Sequence, residues 1–159
     1  MSTHQLSGER LDSWVSFLRA HSAITRQLNA DLLNAHGLTL NDYEVLLRLS
    51  AASGEMMRRV DLAESVVLTA SGITRLLDGL ECAGLVEKAS CAADARVSYA
   101  KLTTAGRARL DEAAATHLAG VEELFTGRYT PEELEQLAEL LGRLPLSGRD
   151  CFGERACSG

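Results

Sequence analysis

Three residues with hydrogen-bonding side chains, Ser71, Thr74 and Arg75, lie within five positions of one another. The apolar residues between and after them recur at helical spacing, which predicts a helix whose apolar stripe turns inward and whose polar residues face outward. Hydroxyls and a guanidinium on the first turns of an exposed helix can bind phosphates or base edges in the DNA major groove. An ordinary surface helix could carry the same residues, so this pattern alone leaves both interpretations open.

A second, shorter helix is predicted immediately upstream. Residues 61–66 place their apolar side chains on one face of a helix. Thr69 precedes the longer helix, and its side-chain oxygen can accept hydrogen bonds from the exposed N–H groups of the first turn. Gly84 is predicted to end that helix. Two helices joined by so short a connection have the order of a helix-turn-helix.

The segment that follows predicts a β-hairpin. Residues 85–88 and 97–102 have the composition of short strands, joined by a loop over residues 89–96. A hairpin directly after the longer helix is a wing, which favours a winged helix-turn-helix over an ordinary surface helix. Arg96 at the tip of this loop could enter the narrow, electronegative minor groove. Residues 56–57 predict a short additional strand of the wing sheet.

At this point the sequence resembles the MarR family of bacterial transcriptional regulators. Five pieces match in order: DLAE at residues 61–64, TASGITRLLDGLE at 69–81, GLVEK at 84–88, DAR at 94–96 and LTTAG at 102–106. The helices that flank this segment also fit, so the resemblance covers roughly residues 10–145. It implies a winged helix-turn-helix that binds operator DNA.

The resemblance also implies roles for individual residues. Ser71, Thr74 and Arg75 would contact the major groove or phosphates, Arg96 would lie in the minor groove, and Asp94 would position a nearby arginine. We assign DNA binding to seven residues in all: Thr69, Ser71, Thr74, Arg75, Lys88, Asp94 and Arg96. The family wing often carries a second basic residue beside the arginine, whereas both neighbours of Arg96 here are apolar. We therefore expect the wing to contribute modest affinity.

Length, composition and charge bound the class of protein. A chain of 159 residues with 46% hydrophobic content suits one domain, or one domain with a dimerisation element. We expect a cytoplasmic chain without a membrane span, because the sequence has neither a sufficiently long apolar run nor a secretory signal. The net charge is −6, but residues 58–107 carry seven basic and six acidic side chains. The acidity therefore lies outside the predicted DNA-binding segment and does not exclude nucleic acid.

The sequence does not predict an enzyme. It has no nucleophile elbow, no phosphate loop and no paired carboxylates on one helix face. The four cysteines form no CxxC pair, and the four histidines are dispersed without metal-ligand spacing. We expect no catalytic residue, no metal and no cofactor.

Long amphipathic helices flank the winged segment, one upstream and two downstream. They predict a mostly α fold with a small β-hairpin wing. The winged lobe covers residues 38–103, and the helical dimerisation region covers residues 10–37 and 104–145. A flexible terminus at 1–9 and a disordered tail at 146–159 complete the predicted division. The apolar faces of these helices exceed what the lobe can cover, so we expect a homodimer. A twofold dimer would bind a pseudo-palindromic operator in double-stranded DNA.

A regulator must be able to change its affinity for DNA. The resemblance implies a repressor released by a small aromatic or phenolic anion, held between the dimerisation helices and the winged lobe. Trp14, His21 and Tyr43 are the candidate ligand contacts, because each can stack or hydrogen-bond with such a molecule. Core packing is the competing interpretation for Trp14 and Tyr43, and a polar break in the helix is the competing interpretation for His21.

Two alternatives stay open. Cys91 at the start of the wing loop could act as a redox-sensitive thiol beside the DNA-reading surface. A disulfide between Cys82 and Cys91 is not expected, since the strand between them should hold their Cα atoms beyond the roughly 7 Å limit. The second alternative is a winged-helix module that binds a protein and has lost DNA binding, which the acidic balance and the sparse wing favour mildly.

Overall fold

The computed structural model describes residues 8–66, 70–91 and 94–144. The elements in chain order are α1 (Gly8–His36), α2 (Leu40–Ala51), β1 (Met56–Arg58), α3 (Arg59–Ser65), α4 (Ala70–Cys82), β2 (Val86–Cys91), β3 (Asp94–Leu102), α5 (Thr104–Leu124) and α6 (Pro131–Leu141). The mostly α architecture with a β wing confirms the predicted fold class. The prediction for residues 1–9 is wrong at Gly8, because α1 already begins there; residues 1–7 and the predicted tail at 146–159 lie outside the described residues.

Side-chain caps fix where the helices begin. Thr39 and Asp42 form a reciprocal capping box at the start of α2: the Asp42 N–H donates to Thr39 Oγ1 at 3.0 Å, and the Thr39 N–H donates to Asp42 Oδ2 at 2.8 Å. Thr130 and Glu133 form the equivalent box before α6, with Pro131 at the first helical position. In both boxes the two residues stand three positions apart, so each box holds the first turn of its helix.

The wing is a three-stranded antiparallel sheet in the order β1-β3-β2. Met57 pairs with Ala100, which confirms the predicted additional strand. The predicted loop over residues 89–96 is wrong, because β2 extends to Cys91 and β3 starts at Asp94. The small side chains that suggested a loop do not prevent pairing, since an antiparallel ladder is made by backbone groups. Ala89, for example, lies opposite Tyr99.

A single apolar core joins the winged lobe to the neighbouring helices. The largest fully buried side chains belong to α1, α2, α3 and α4; they are Leu32, Val45, Leu46, Leu49, Leu62 and Leu77. Leu110 and Ala113 of α5 belong to the same cluster. Leu32 of α1 and Leu110 of α5 are buried together with residues of the lobe. The carboxyl-terminal part of α1 and the amino-terminal part of α5 therefore attach the winged lobe to the long helices.

The opposite ends of the long helices expose apolar side chains. Trp14 of α1 is 55% exposed, so core packing, the competing interpretation of this residue, is wrong within one chain. The reason is that the amino-terminal half of α1 extends beyond the lobe. Leu11, Phe17 and Leu18 on the same half are exposed as well, as are Leu118 of α5 and Leu140 of α6. None of the residues of α6 is buried.

The first turn of α5 is bonded directly to the segment that ends α4. The Thr103 hydroxyl donates to the Gly84 carbonyl at 2.7 Å, and the Thr103 N–H donates to the Leu85 carbonyl at 3.1 Å. Thr103 Oγ1 also accepts the Gly106 N–H at 3.0 Å, which caps α5. Gly106 lies so close to Leu85 that a Cβ atom at position 106 would overlap the Leu85 carbonyl oxygen. No residue with a side chain fits there without moving the backbone.

Candidate nucleic-acid interface

The exposed face of α4 carries the residues that the sequence assigns to DNA recognition. Ile73, Leu77 and Leu80 are buried against the core, which turns Ser71, Thr74, Arg75 and Asp78 to the exposed side. This orientation is the one that helical periodicity predicted. Thr69, the predicted cap of α4 and another predicted DNA contact, lies outside the described residues.

The position of Arg96 differs from the sequence interpretation. Arg96 is exposed on β3 instead of lying in a loop, because β3 starts two residues earlier, at Asp94. A strand holds a side chain in a more defined direction than a loop does. The side chain of Asp94, predicted to position an arginine, lies outside the described side chains, as does that of Cys91.

Four charged residues form a group at the carboxyl-terminal end of α4, which we call the Glu81 cluster: Arg59, Asp78, Glu81 and Lys88. Glu81 Oε1 lies 3.7 Å from Arg59 Nη2, and Glu81 Oε2 lies 3.6 Å from Lys88 Nζ. Arg59 Nη2 also lies 3.9 Å from Asp78 Oδ1. The cluster therefore joins the first residue of α3 and a strand of the wing to the last turn of α4. Lys88, a predicted DNA contact, is thus ion-paired within the chain.

The dibasic pair before the helix-turn-helix is ion-paired as well. Arg58 donates two hydrogen bonds to the Asp61 carboxylate, at 2.7 and 3.0 Å, and Arg59 belongs to the Glu81 cluster. Both arginines therefore have carboxylate partners within the chain. The Arg58–Asp61 pair could have been found from its spacing of three residues in a helical start. The pairing of Arg59 with Glu81 has no such signal.

The three candidate ligand residues do not meet within one chain. Trp14, Phe17 and His21 form a row of rings on the exposed side of α1, with centroids 6.2 and 6.4 Å apart. Tyr43 is only 5% exposed and stacks on His117 of α5, with ring centroids 4.5 Å apart. His36 of α1 is hydrogen-bonded to Thr116, the residue that precedes His117 on α5. About 33 Å of helix separates Trp14 from His36, so Trp14 lies far from this part of α5.

His117 is a polar residue of this region that sequence reasoning missed. Its Nδ1 atom is buried and has no hydrogen-bond partner among the described residues. Burial lowers the pKa of the His117 imidazole, and the nearby Glu44 carboxylate partly offsets this effect. Burial likewise raises the pKa of the Tyr43 hydroxyl. A histidine spaced 74 residues from its stacking partner gives no sequence signal.

Replacing His117 by glutamine is expected to make the protein less sensitive to acid. The folded-state pKa of His117 lies below its ordinary value of 6.5, so below that pH the unfolded chain binds the proton more readily than the folded chain. The stabilising contribution is therefore present above 6.5 and is lost as the pH falls through the folded-state pKa. Urea unfolding at about pH 7 and about pH 5 should show a smaller loss of unfolding free energy for His117→Gln than for wild type. His21→Gln, at an exposed ring on α1, is the control and should retain the wild-type loss. An equal loss in all three proteins would contradict this assignment.

Metal and redox features are limited in the described residues. No group of three or more histidine, cysteine, aspartate or glutamate side chains suited to a metal occurs among residues 8–66, 70–91 and 94–144. Cys82 at the end of α4 is exposed and has a free thiol, which agrees with the expectation that it does not pair with Cys91. Over the same part of the chain, no helix has the length and apolar content needed to cross a membrane.

Comparison with known proteins identifies the family. The family model described as "MarR family" matches residues 36–97. The crystal structure of AbsC, a MarR family transcriptional regulator from Streptomyces coelicolor, is 34% identical to this chain over 87% of this chain and 93% of that one, with a TM-score of 0.82. The chain belongs to the MarR family.

Two further relatives are informative. The structure of Sco3205, a MarR family transcriptional regulator from Streptomyces coelicolor in complex with DNA, is 26% identical over 89% of this chain and 88% of that one, with a TM-score of 0.84. The transcriptional repressor YetL of Bacillus subtilis is 31% identical over 108 residues, which are 68% of this chain and 64% of that protein. Membership of the MarR family makes this chain a transcriptional regulator and confirms the resemblance that five sequence pieces indicated.

Proposed function

We propose that this protein is a homodimeric repressor that binds a pseudo-palindromic operator in double-stranded DNA. The observation that carries the proposal is the exposed row of Ser71, Thr74 and Arg75 on α4, beside a wing that presents Arg96. These are the residue types and the position that major-groove and minor-groove contacts require. The DNA complex of Sco3205, whose fold this chain shares, and the repressor activity named for YetL support the same function. A bacterial regulator that binds an operator must share a compartment with the chromosome, so the proposed location of this protein is the cytoplasm.

A second copy of the chain is the proposed partner of the exposed apolar helix faces. An isolated helix of 11 residues such as α6 is marginal in water, and α6 buries none of its residues within one chain. The amino-terminal half of α1 is exposed in the same way. Pairing of these helices across a twofold axis would bury both faces. The proposed division is therefore a winged lobe at 38–103 and a dimerisation region at 10–37 and 104–145, with a shared core where Leu32 and Leu110 meet the lobe.

Release of DNA by a small aromatic ligand is part of this proposal. The stack of Tyr43 on His117 supports ligand release. It places an aromatic ring beside the buried Nδ1 atom of His117, which has no hydrogen-bond partner among the described residues. A ligand that bound a dimer with wrongly spaced α4 helices would lower operator occupancy by shifting the population toward that dimer. Trp14 and His21 would join Tyr43 in one site only if the second copy brings them near.

Selection of bound sequences from a random duplex library tests the proposal. The expected result is a pseudo-palindrome whose half-sites are centred about 10 base pairs, or one helical turn, apart, because two α4 helices related by a twofold axis enter successive major grooves. A salt titration on the selected duplex should then show a linear fall of log affinity with log salt concentration. Failure to enrich any sequence, with weak salt-sensitive binding alone, would favour a protein-interaction module. Enrichment that disappears on oxidation, with protection by Cys91→Ser, would favour the thiol switch.

A further inference from the structure

The Glu81 carboxylate lies between two cations that come from different elements. Its Oε1 atom lies 3.7 Å from Arg59 at the start of α3, and its Oε2 atom lies 3.6 Å from Lys88 on the wing. The side chains of Glu81 and Arg59 are only 18% and 19% exposed, whereas that of Lys88 is 65% exposed. One carboxylate thus holds a half-buried arginine and a mostly exposed lysine against the same turn of α4.

The cluster is held by charge and not by hydrogen bonds. Glu81 Oε1 and Arg59 Nη2 are buried without a hydrogen-bond partner among the described residues, and the three ion-pair distances exceed normal hydrogen-bond lengths. A neutral amide of the same shape therefore cannot replace the Glu81 carboxylate. Burial also reduces the screening by water that makes most surface ion pairs weak.

Both cations lie on elements that face DNA in a helix-turn-helix protein. The first helix of the motif, which Arg59 begins, crosses the DNA backbone while the second enters the major groove. An unrestrained cation on such a surface binds the phosphates of any sequence, because that interaction is independent of base identity. A cation held at one position contributes only when the lobe is seated in the correct register.

We propose that Glu81 is a positioning residue that determines specificity: its carboxylate restrains Arg59 and Lys88 so that they do not contribute to binding of unrelated DNA, and it fixes the wing relative to α4. This inference rests on the proposed operator binding. It assigns a role to a carboxylate on the helix that reads DNA, where a negative charge would otherwise only repel phosphate. Glu81 thus lowers the attraction between these cations and the phosphates of unrelated DNA, and thereby favours the complex with the operator.

The variant Glu81→Gln tests the inference, with the sequence selected by the wild-type protein and a scrambled duplex of equal length as probes. The ratio of the two affinities is expected to fall by about five-fold or more, since release of two cations raises binding to the scrambled duplex while loss of the fixed wing lowers binding to the selected one. The slope of log affinity against log salt on the scrambled duplex should steepen by about 0.9 for each additional phosphate that the released cations neutralise. A purely structural role would not steepen that slope.

Matched variants separate positioning from simple charge. Glu87→Gln removes the same charge from the neighbouring position on β2, where Glu87 pairs with Lys101 outside the cluster, and should raise both affinities without changing their ratio. Glu81→Asp retains the charge and should keep the shallow salt slope of wild type. Equal ratios in Glu81→Gln, Glu87→Gln and wild type would overturn the inference.

A second measurement keeps the test valid if Glu81→Gln fails to fold. Lys88→Met alters a mostly exposed side chain and leaves the buried pair of Glu81 and Arg59 intact. If Lys88 is restrained as proposed, its loss leaves the salt slope on the scrambled duplex unchanged; a shallower slope would show an unrestrained phosphate contact and would overturn the inference. Failure of the wild-type protein to discriminate between the two duplexes would instead reject the proposed function itself.

Discussion

Replacing Arg75 by alanine is expected to weaken operator binding by at least about ten-fold, since a base or phosphate contact of this kind is worth about 1–3 kcal/mol and the proposed dimer contains two. Arg75 is exposed on the outward face of α4. Its guanidinium forms no ion pair with any residue that the structure describes. It therefore gives up no such partner when it binds DNA, in contrast to Arg59 and Lys88.

Titration of a labelled operator duplex with the variant provides the measurement. Arg19→Ala, at an exposed position on α1 away from the lobe, removes the same charge and should bind nearly as wild type does. Arg96→Ala should weaken binding less than Arg75→Ala, because both neighbours of Arg96 on β3 are apolar and no second basic residue stands beside it in the sequence. Equal loss of affinity for operator and scrambled duplexes would assign Arg75 to phosphate instead of to a base. Wild-type affinity in both Arg75→Ala and Arg96→Ala would reject the proposed contacts.

Replacing Gly106 by alanine is expected to destabilise the fold by about 3 kcal/mol, the upper end of the usual cost of overpacking. The added Cβ would overlap the Leu85 carbonyl oxygen and lie 2.8 Å from Leu102 Cδ1. The Leu102 side chain can rotate away, but the Leu85 carbonyl is fixed by the N–H of Thr103, and the Leu85 N–H is bonded to the Leu80 carbonyl at 2.9 Å. The clash must therefore separate α5 from the end of α4.

Gly79→Ala on α4 provides the matched control for Gly106→Ala. No atom lies within 4 Å of a Cβ built at Gly79, so this variant should gain about 0.5–1 kcal/mol from the higher helix propensity of alanine. The two substitutions are chemically identical and both lie in helices, but they should shift the urea unfolding midpoint in opposite directions. Gly106→Ala at or above wild-type stability would contradict the close packing of α5 against Leu85.

Local sequence patterns were sufficient to predict α4 and the hairpin of the wing. The orientation of Arg75 follows from the spacing of Ile73, Leu77 and Leu80, because a helical stripe determines which residues face outward. The additional strand at residues 56–57 follows from a short apolar pair close to the wing segment. Each of these features depends on neighbours in the chain, which is why the sequence reveals them.

Contacts between distant parts of the chain could not be predicted in the same way. Glu81 and Arg59 are 22 residues apart, and Tyr43 and His117 are 74 apart, so no periodicity connects them. Gly106 lies in the predicted helical region at 104–145, but its lack of a side chain is required by packing against Leu85, which the local pattern does not reveal. Composition also misled at residues 89–91 and 94–96, where small residues suggested a loop and the backbone belongs to β2 and β3.

The hydrogen bonds from Thr103 to the Gly84 and Leu85 carbonyls connect the start of α5 directly to the segment that ends α4. In the proposed dimer, α5 would then act as a lever about 30 Å long. If α5 tilted by about 5° about its carboxyl-terminal end, its amino-terminal end and the attached winged lobe would move by about 3 Å. This displacement is close to the rise of about 3.4 Å between base pairs. In the proposed dimer, a ligand that tilted α5 would therefore change the spacing of the two α4 helices without contacting α4.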